Sequence, residues 1–372
     1  MLTLLKNCSV YAPAHLGRRD ILIAGGSIAA MEEDLSRFEG FDEIGTVDLG
    51  GDIVCPGLFD IHVHVTGGGG EQGPASRMRE LTLTDFTENG VCSVIGLLGT
   101  DGVSRSLENL LFKVRALEEE GLSAWMLTGN YRMPTKTLTG DVETDVALID
   151  KIVGAKTALA DHRDSAASAQ ELARLGTEVR IGSMIAGKKG VVTIHMGTSK
   201  RCMKTLFEAL EISDLPPETF LPTHCCRSEE LVRDAVKFNR MGGFIDFTAD
   251  PDPDTEGTTK AVLRAIELGA DPARICMSSD GGGSQPVFDE TGTCVRIDSA
   301  TSASLLQELR RLVSRGGMPL EKALAFFTAN PARLYGLQNV KGTLAPGMDA
   351  DILVLDEGLV PQQLWSKGKK LL

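Results

Sequence analysis

The sequence predicts an α/β protein: a (β/α)8 TIM-like barrel carrying a small β-sandwich domain built from both chain ends. Three observations predict it. Eight short apolar runs recur through the middle of the chain, most of them separated by longer segments of helical pattern. Short β-rich pieces with turn signals occupy the two ends, each too small to bury a core alone. Histidines and an aspartate stand where several of the apolar runs stop, the face on which barrel enzymes build their sites.

At the N-terminal end, Ile21-Leu22-Ile23-Ala24-Gly25-Gly26 reads as a strand and a turn, followed by an irregular stretch up to Gly50-Gly51-Asp52-Ile53-Val54. At the other end, Gly342-Thr343-Leu344-Ala345-Pro346-Gly347-Met348-Asp349-Ala350-Asp351-Ile352-Leu353-Val354-Leu355 reads as a turn and a short apolar strand. Paired, these pieces make a small domain over residues 1–54 and 338–372, which leaves 55–337 to the barrel. The expected barrel strands are Phe59–His64, Cys92–Leu97, Ser123–Leu127, Lys151–Lys156, Val191–His195, Phe220–His224, Phe244–Phe247 and Ile275–Ser278. Helical patterns at Leu107–Glu120, Ala167–Leu175, Ser228–Met241 and Thr258–Leu268 lie between them. Eight such strands favour a closed barrel over an open doubly wound sheet. A chain of 372 residues has room for one large domain and a smaller one.

Composition excludes some function classes. A net charge of −13 argues against nucleic acid as a partner, because phosphate binding needs a basic surface. An anionic substrate would need arginines placed locally against that acidic background. The N-terminus lacks the pattern of a signal peptide, and no run of eighteen apolar residues suggests a membrane span. The eight cysteines contain no Cys-x-x-Cys pair, so free thiols in a reducing cytoplasm are expected.

His62-Val63-His64 anchors the chemistry, since alternate residues of a strand point to one side. His195 ends Val191-Val192-Thr193-Ile194, His224 ends Phe220-Leu221-Pro222-Thr223, and Asp280 follows Ile275-Cys276-Met277-Ser278-Ser279. Four of the six histidines and one carboxylate thus converge on one rim, a donor set suited to zinc and similar divalent ions. Lys156 ends the fourth run on the same rim. It is either a surface lysine that opens a loop, or a buried neutral amine that adds carbon dioxide to form a cation-bridging carbamate. His15 lies in the terminal domain, and His162 is a neighbour of the site rather than a ligand. Gly67-Gly68-Gly69-Gly70 is either a flexible loop or a place where backbone amides approach a ligand.

Pro56-Gly57-Leu58-Phe59-Asp60-Ile61-His62-Val63-His64 resembles the metal-binding opening of the amidohydrolase superfamily, and Gly347-Met348-Asp349-Ala350-Asp351-Ile352 resembles its C-terminal return to the small sheet domain. Within it, Gly67-Gly68-Gly69-Gly70-Glu71, Gly96-Leu97-Leu98-Gly99-Thr100-Asp101, Ser123-Ala124-Trp125-Met126-Leu127-Thr128-Gly129 and Ser278-Ser279-Asp280-Gly281 resemble the isoaspartyl (β-aspartyl) dipeptidase family. The resemblance implies two zinc ions bridged by carboxylated Lys156 and a hydroxide. His62 and His64 would hold one ion, His195 and His224 the other, and Asp280 would complete the first ion's shell and act as general base and then acid. It further implies that Glu71, with backbone near Gly69 and the Thr100 region, meets a substrate ammonium, that Arg163, Arg227 and Ser284 meet carboxylates, and that Tyr131 donates to the scissile carbonyl. Read without the family, both arginines are ordinary surface ion-pair formers. The implied substrate is a small zwitterionic dipeptide, and the implied assembly a homo-oligomer. A dihydroorotase, a hydantoinase or an N-acyl amino acid deacylase would use the same metal shell, and a non-catalytic binding protein would keep the barrel. Two features depart from the pattern: the Cys225-Cys226 pair, with thiols able to compete for metal if ionised, and Gly281-Gly282-Gly283, which puts the place of Ser284 in question.

Overall fold

The computed structural model describes residues 2–252, 254–288 and 294–372. Its first strands are β1 (Leu2–Tyr11), β2 (His15–Ala24), β3 (Ser27–Glu32), β4 (Ile44–Asp48) and β5 (Ile53–Pro56). Gly25 and Gly26, with φ of 58° and 96°, form the two-residue turn that joins β2 to β3, a conformation most side chains resist. The stretch expected to be irregular therefore contains β3 and β4. Both are short and partly exposed, β3 with only Ile28-Ala29-Ala30-Met31 to announce it and β4 with no apolar run, and their neighbours decide their pairing. The first half of β1 pairs with β4 and residues Ser9 and Val10 pair with β5, across an irregularity between Leu5 and Cys8.

The chain then forms eight parallel strands: β6 (Leu58–Val63), β7 (Val91–Gly96), β8 (Ser123–Gly129), β9 (Ile152–Leu159), β10 (Val191–Met196), β11 (Phe220–Thr223), β12 (Ile245–Thr248) and β13 (Ile275–Ser278). β6 to β11 pair in sequence order and β12 pairs with β13. The ring closes at two places. The Cys225 amide donates to the Asp246 carbonyl (3.1 Å) beside β12, and the His64 amide donates to the Gly281 carbonyl (2.8 Å) between β13 and β6. Every residue of β6, β7 and β9 to β13 is buried, as strands covered on both faces must be.

The covering helices are α1 (Leu83–Thr87), α2 (Leu107–Glu120), α3 (Val142–Leu148), α4 (Ala169–Ile185), α5 (Lys204–Glu211), α6 (Glu229–Arg240), α7 (Gly257–Glu267), α8 (Ala303–Ser314), α9 (Leu320–Phe327) and α10 (Ala329–Leu334). Their sequences carry their own start signals. Ser106 and Ser228 accept from the amides of Asn109 and Leu231, and Ser168 with Glu171 forms a capping box on α4. In α2 the residues at helical spacing, Leu107, Leu110, Val114 and Leu117, are the buried ones. α4 runs ten residues past the expected Leu175; its later turns bury Gly176, Val179, Gly182 and Ser183 and expose Ile181, Met184 and Ile185, so the apolar positions do not mark the inner face. None of the described helices is long and apolar enough to cross a membrane.

After β13 comes a hairpin, β14 (Ser284–Phe288) and β15 (Cys294–Ser299). The tail, β16 (Ile352–Leu355), β17 (Pro361–Ser366) and β18 (Lys369–Lys370), then returns to the first sheet, β16 pairing antiparallel with β5. The two chain ends thus share one eight-stranded sheet with its own buried cluster, including Leu5, Val10, Ile23, Val54, Ile352 and Trp365. Lys341 fastens this tail to the barrel. Its buried ammonium donates to Ser123 Oγ at the start of β8 (2.7 Å) and to Asp351 (2.6 Å).

Candidate metal centre and active site

His62 and His64, two residues apart on the end of β6, put their ring centroids 5.7 Å apart over the barrel mouth. His224, just beyond β11, brings its ring within 5.0 Å of His62 and 4.6 Å of His195 near the end of β10. Asp280 Oδ1 lies 3.4 Å from His62 Nε2 and 3.2 Å from His64 Nε2. His62, His224 and Asp280 each offer a ligand atom, all within 4.8 Å of one another. The five residues that sequence placed on one rim are therefore together.

Lys156 decides between its two readings and corrects its place in the strand. It is not a loop-opening surface residue, since its exposure is 0%. Nor does it end its strand: β9 continues through Thr157, Ala158 and Leu159, which remain buried, and Lys156 pairs in register with Thr193, two residues below His195. Its long side chain reaches up to set Nζ 3.2 Å from His62 Nε2. Burial pushes this amine down from 10.5 to about 7, so a neutral amine is available near neutral pH.

The backbone at the site is held in unusual conformations. His224 and Asp280 have φ of 63° and 55°, the left-handed region, at a cost of roughly 1–3 kcal/mol each. The glycine run after Asp280 has a steric cause. A Cβ on Gly282 would come 2.5 Å from the His64 carbonyl oxygen, and one on Gly283 would come 2.7 Å from Asp280 Oδ1. The run lets the chain cross the first strand's end, and Ser284 is still delivered to the cavity.

Three buried ligand-type atoms, His64 Nδ1, His224 Nε2 and Asp280 Oδ1, have no hydrogen-bond partner. Buried polar atoms are nearly always paired, so the unpaired His224 and Asp280 atoms, on residues grouped with His62, fit a cation site. Burial first, and the neighbouring cationic groups second, push His62, His195 and His224 well below the ordinary imidazole range. Neutral rings with free lone pairs are what a divalent ion requires.

Above this group lies a cavity of about 340 Å³ lined by, among others, His64, Gly69, Glu71, Thr100, Tyr131, Arg163, His195, Arg227, Asp280 and Ser284. Every residue predicted to touch substrate is on its wall. Tyr131 Oη lies 2.6 Å from His195 Nδ1, and burial pushes its phenol above the ordinary range, so it remains a proton donor. Ser284 Oγ donates to Glu71 (2.9 Å), and Arg163 Nη1 stands 3.4 Å from the same carboxylate. Arg227 donates to the Met196 carbonyl (2.6 Å) and has no carboxylate partner among the described residues.

Sequence reasoning missed the carboxylates beneath and beside the site. Asp161 accepts from Arg163 Nε and Nη2 (2.9 and 3.0 Å) and lies 3.0 Å from His195 Nε2. Burial alone would raise its pKa, but these hydrogen bonds hold it well below the usual carboxylate range. Asp60, buried among the Ser279 and His62 amides, is pushed up to about 7 by burial. Asp246 is likewise pushed up to about 8, again by burial. The available signal was a lone acidic residue inside a predicted buried strand, as in Phe244-Ile245-Asp246-Phe247. His162 lines the cavity edge with a side chain 87% exposed. His15 stacks on Tyr11 in the small sheet. The Cys225 and Cys226 thiols turn to the carbonyls of Pro222 and Thr248 and stand outside the ligand group.

Known proteins resemble this chain over nearly its whole length. A β-aspartyl dipeptidase from Fervidobacterium islandicum AW-1, solved in complex with the β-Asp-Leu dipeptide, is 37% identical, with a TM-score of 0.92 over 100% of this chain and 97% of that one. A dihydroorotase from Lactobacillus johnsonii is 26% identical over 401 residues, 96% of this chain and 89% of that protein. The L-hydantoinase of Arthrobacter aurescens, 18% identical with a TM-score of 0.67 over 99% of this chain and 95% of that one, shares the fold. The model of the amidohydrolase family matches residues 180–371, more than half of the 372, and the chain belongs to that family.

Proposed function

We propose that this chain hydrolyses the isopeptide bond of isoaspartyl dipeptides, releasing aspartate and an amino acid, with two zinc ions as cofactors. One observation carries the reading. A single cavity is lined by a carboxylate, Glu71, and by a guanidinium without a carboxylate partner among the described residues, Arg227, above a group of neutral imidazoles. An isoaspartyl dipeptide carries one ammonium and two carboxylates, and the acidic chain meets them with Arg163 and Arg227. The 37% identical neighbour bound to β-Asp-Leu supports the same substrate class.

In this reading His62, His64 and Asp280 would hold one ion and His195 and His224 the other. The neutral Lys156 amine, on adding carbon dioxide to form a nitrogen–carbon bond and releasing one proton to solvent, would supply carbamate oxygens as further ligands. Bound divalent ions supply Lewis acidity and make water easier to deprotonate. Asp280 accepts the proton of the attacking water and returns it to the departing amine, base first and acid second. The Tyr131 hydroxyl donates to the carbonyl oxygen as negative charge grows there. Glu71, with the backbone near Gly69 and Thr100, receives the ammonium, and Arg163, Arg227 and Ser284 receive the carboxylates.

The dihydroorotase likeness favours a second reading, a cyclic-amide hydrolase. Such a substrate has no ammonium, which leaves Glu71 without a role. The deciding assay is hydrolysis of β-Asp-Leu beside α-Asp-Leu, N-acetyl amino acids, hydantoin and dihydroorotate, with zinc content measured on the same sample. Selective β-Asp-Leu cleavage is expected. A fully metallated protein that cleaves dihydroorotate or hydantoin instead would overturn the dipeptidase reading.

A further inference from the structure

β12 supplies none of the rim residues predicted from sequence, yet it buries a carboxylate, Asp246, at 0% exposure between Ile245 and Phe247. Asp246 Oδ2 lies 2.6 Å from Thr223 Oγ1 and 2.6 Å from Ser278 Oγ. Accepting from both hydroxyls, it draws both of their protons toward itself. Thr223 Oγ1, its own proton so committed, is left as an acceptor for the ring nitrogen 3.2 Å away, Nδ1 of His62. A neutral imidazole carries one N–H. Placing it on Nδ1 leaves the lone pair on Nε2, the atom that stands 3.4 Å from Asp280 Oδ1 and 3.2 Å from Lys156 Nζ.

We propose that Asp246 is a positioning residue which, through the Thr223 hydroxyl, holds His62 in its Nδ1–H tautomer and presents Nε2 to a divalent cation. The inference rests on reading the His62, His224 and Asp280 group as a cation site. A buried carboxylate is costly among apolar side chains, and a strand tie alone would not require its oxygen to meet the hydroxyl that touches His62 Nδ1. The relay joins three strands, from β12 through the last residue of β11 to β6, and the Cys225 amide bonded to the Asp246 carbonyl holds the end of β11 beside β12.

The test uses metal-free full-length protein as wild type, Thr223→Val, Thr223→Ser and Ser278→Ala. Two properties are read: the ring nitrogen-15 shifts of His62, assigned by loss of its signals in His62→Asn, and zinc affinity by chelator competition. Wild type and Thr223→Ser are expected to show Nδ1–H. Thr223→Val loses that preference and binds zinc about 10–100-fold more weakly, whereas Ser278→Ala, which removes the other bond to Asp246, keeps the tautomer. If Thr223→Val does not fold, Asp246→Ala gives the same readout. Its freed Thr223 proton turns to His62, and the ring shifts move toward Nε2–H. Tight zinc binding by wild type with an unchanged tautomer and affinity in Thr223→Val overturns the relay alone. Equal effects of Ser278→Ala and Thr223→Val in both readouts also overturn it, by showing a general strand tie. A wild type that binds no zinc removes the cation reading and the relay together.

Discussion

Replacing Tyr131 with phenylalanine isolates one hydroxyl. The ring is buried, packs under the Arg163 guanidinium at 5.5 Å and lies 5.9 Å from Lys156 Nζ, so phenylalanine retains those contacts and only the oxygen is lost. In the resting site that oxygen stands 2.6 Å from His195 Nδ1, at the mouth of the cation group, where a carbonyl must approach to be attacked. Burial keeps the phenol protonated well above the ordinary range, so it donates throughout the working pH range and adds no alkaline limb to the rate profile. If the hydroxyl meets charge that develops only in the transition state, its removal costs about 10²–10³ in kcat, or roughly 3–4 kcal/mol. KM for β-Asp-Leu is expected to stay close to wild type, because Glu71 and the arginines proposed to hold the charged ends are untouched. Steady-state kinetics on Tyr131→Phe, with zinc content matched to wild type, measure both constants. A rise in KM with kcat intact would show that the hydroxyl binds substrate in the ground state and would refute the oxyanion argument.

Other variants test neighbouring parts of the site. Asp280→Asn is expected to keep bound zinc yet lose about 10²–10⁴ in turnover, the usual size of a general acid–base contribution; near-normal turnover would end that assignment. Gly99→Ala would bring a Cβ 2.8 Å from His64 Cε1, so the ring must move. Zinc affinity in chelator competition is expected to fall at least about 10-fold with unchanged circular dichroism, and an unaltered affinity would show that the ring position is not critical. Lys156 also predicts a pH dependence of stability in metal-free protein kept free of carbon dioxide. Its amine titrates near 7 when folded against 10.5 otherwise, so between these values the unfolded chain binds a proton that the folded chain does not. The cost of burying the charge is full below pH 7 and is relieved as pH rises toward 10.5. Stability should therefore climb by roughly 1 kcal/mol per pH unit across that window. Denaturant titrations on wild type and Lys156→Met check this, and equal slopes in the two proteins would contradict it.

Much of the architecture was legible because burial on both faces writes a barrel strand as a continuous apolar run, whatever its neighbours. β10, β11 and β13 could be located that way, and with them His195, His224 and Asp280, since a strand's end is where an apolar run stops; β6, interrupted by Asp60 and His62, was marked by the His62-Val63-His64 alternation. β3 and β4 were not legible: they are partly exposed, and their pairing is set by partners remote in sequence. β9 was read too short because a lysine looks like a boundary. Only the fold could surround that side chain with enough protein to strip its solvent and lower its pKa. The carboxylates were hidden for a similar reason. Asp161 and Arg163 are only two positions apart, but that Asp161 also reaches His195, and Asp246 a hydroxyl at the end of β11, depends on distances between residues 34 and 23 positions apart, and no local pattern records them. The sequence by itself determined the kind of fold, the donor types and the rim on which they stand, because strand periodicity and residue chemistry are local properties. The tertiary structure alone decided which nitrogens and oxygens meet, which charges are suppressed and which arginine is left facing the cavity, because proximity and desolvation are properties of the packed chain.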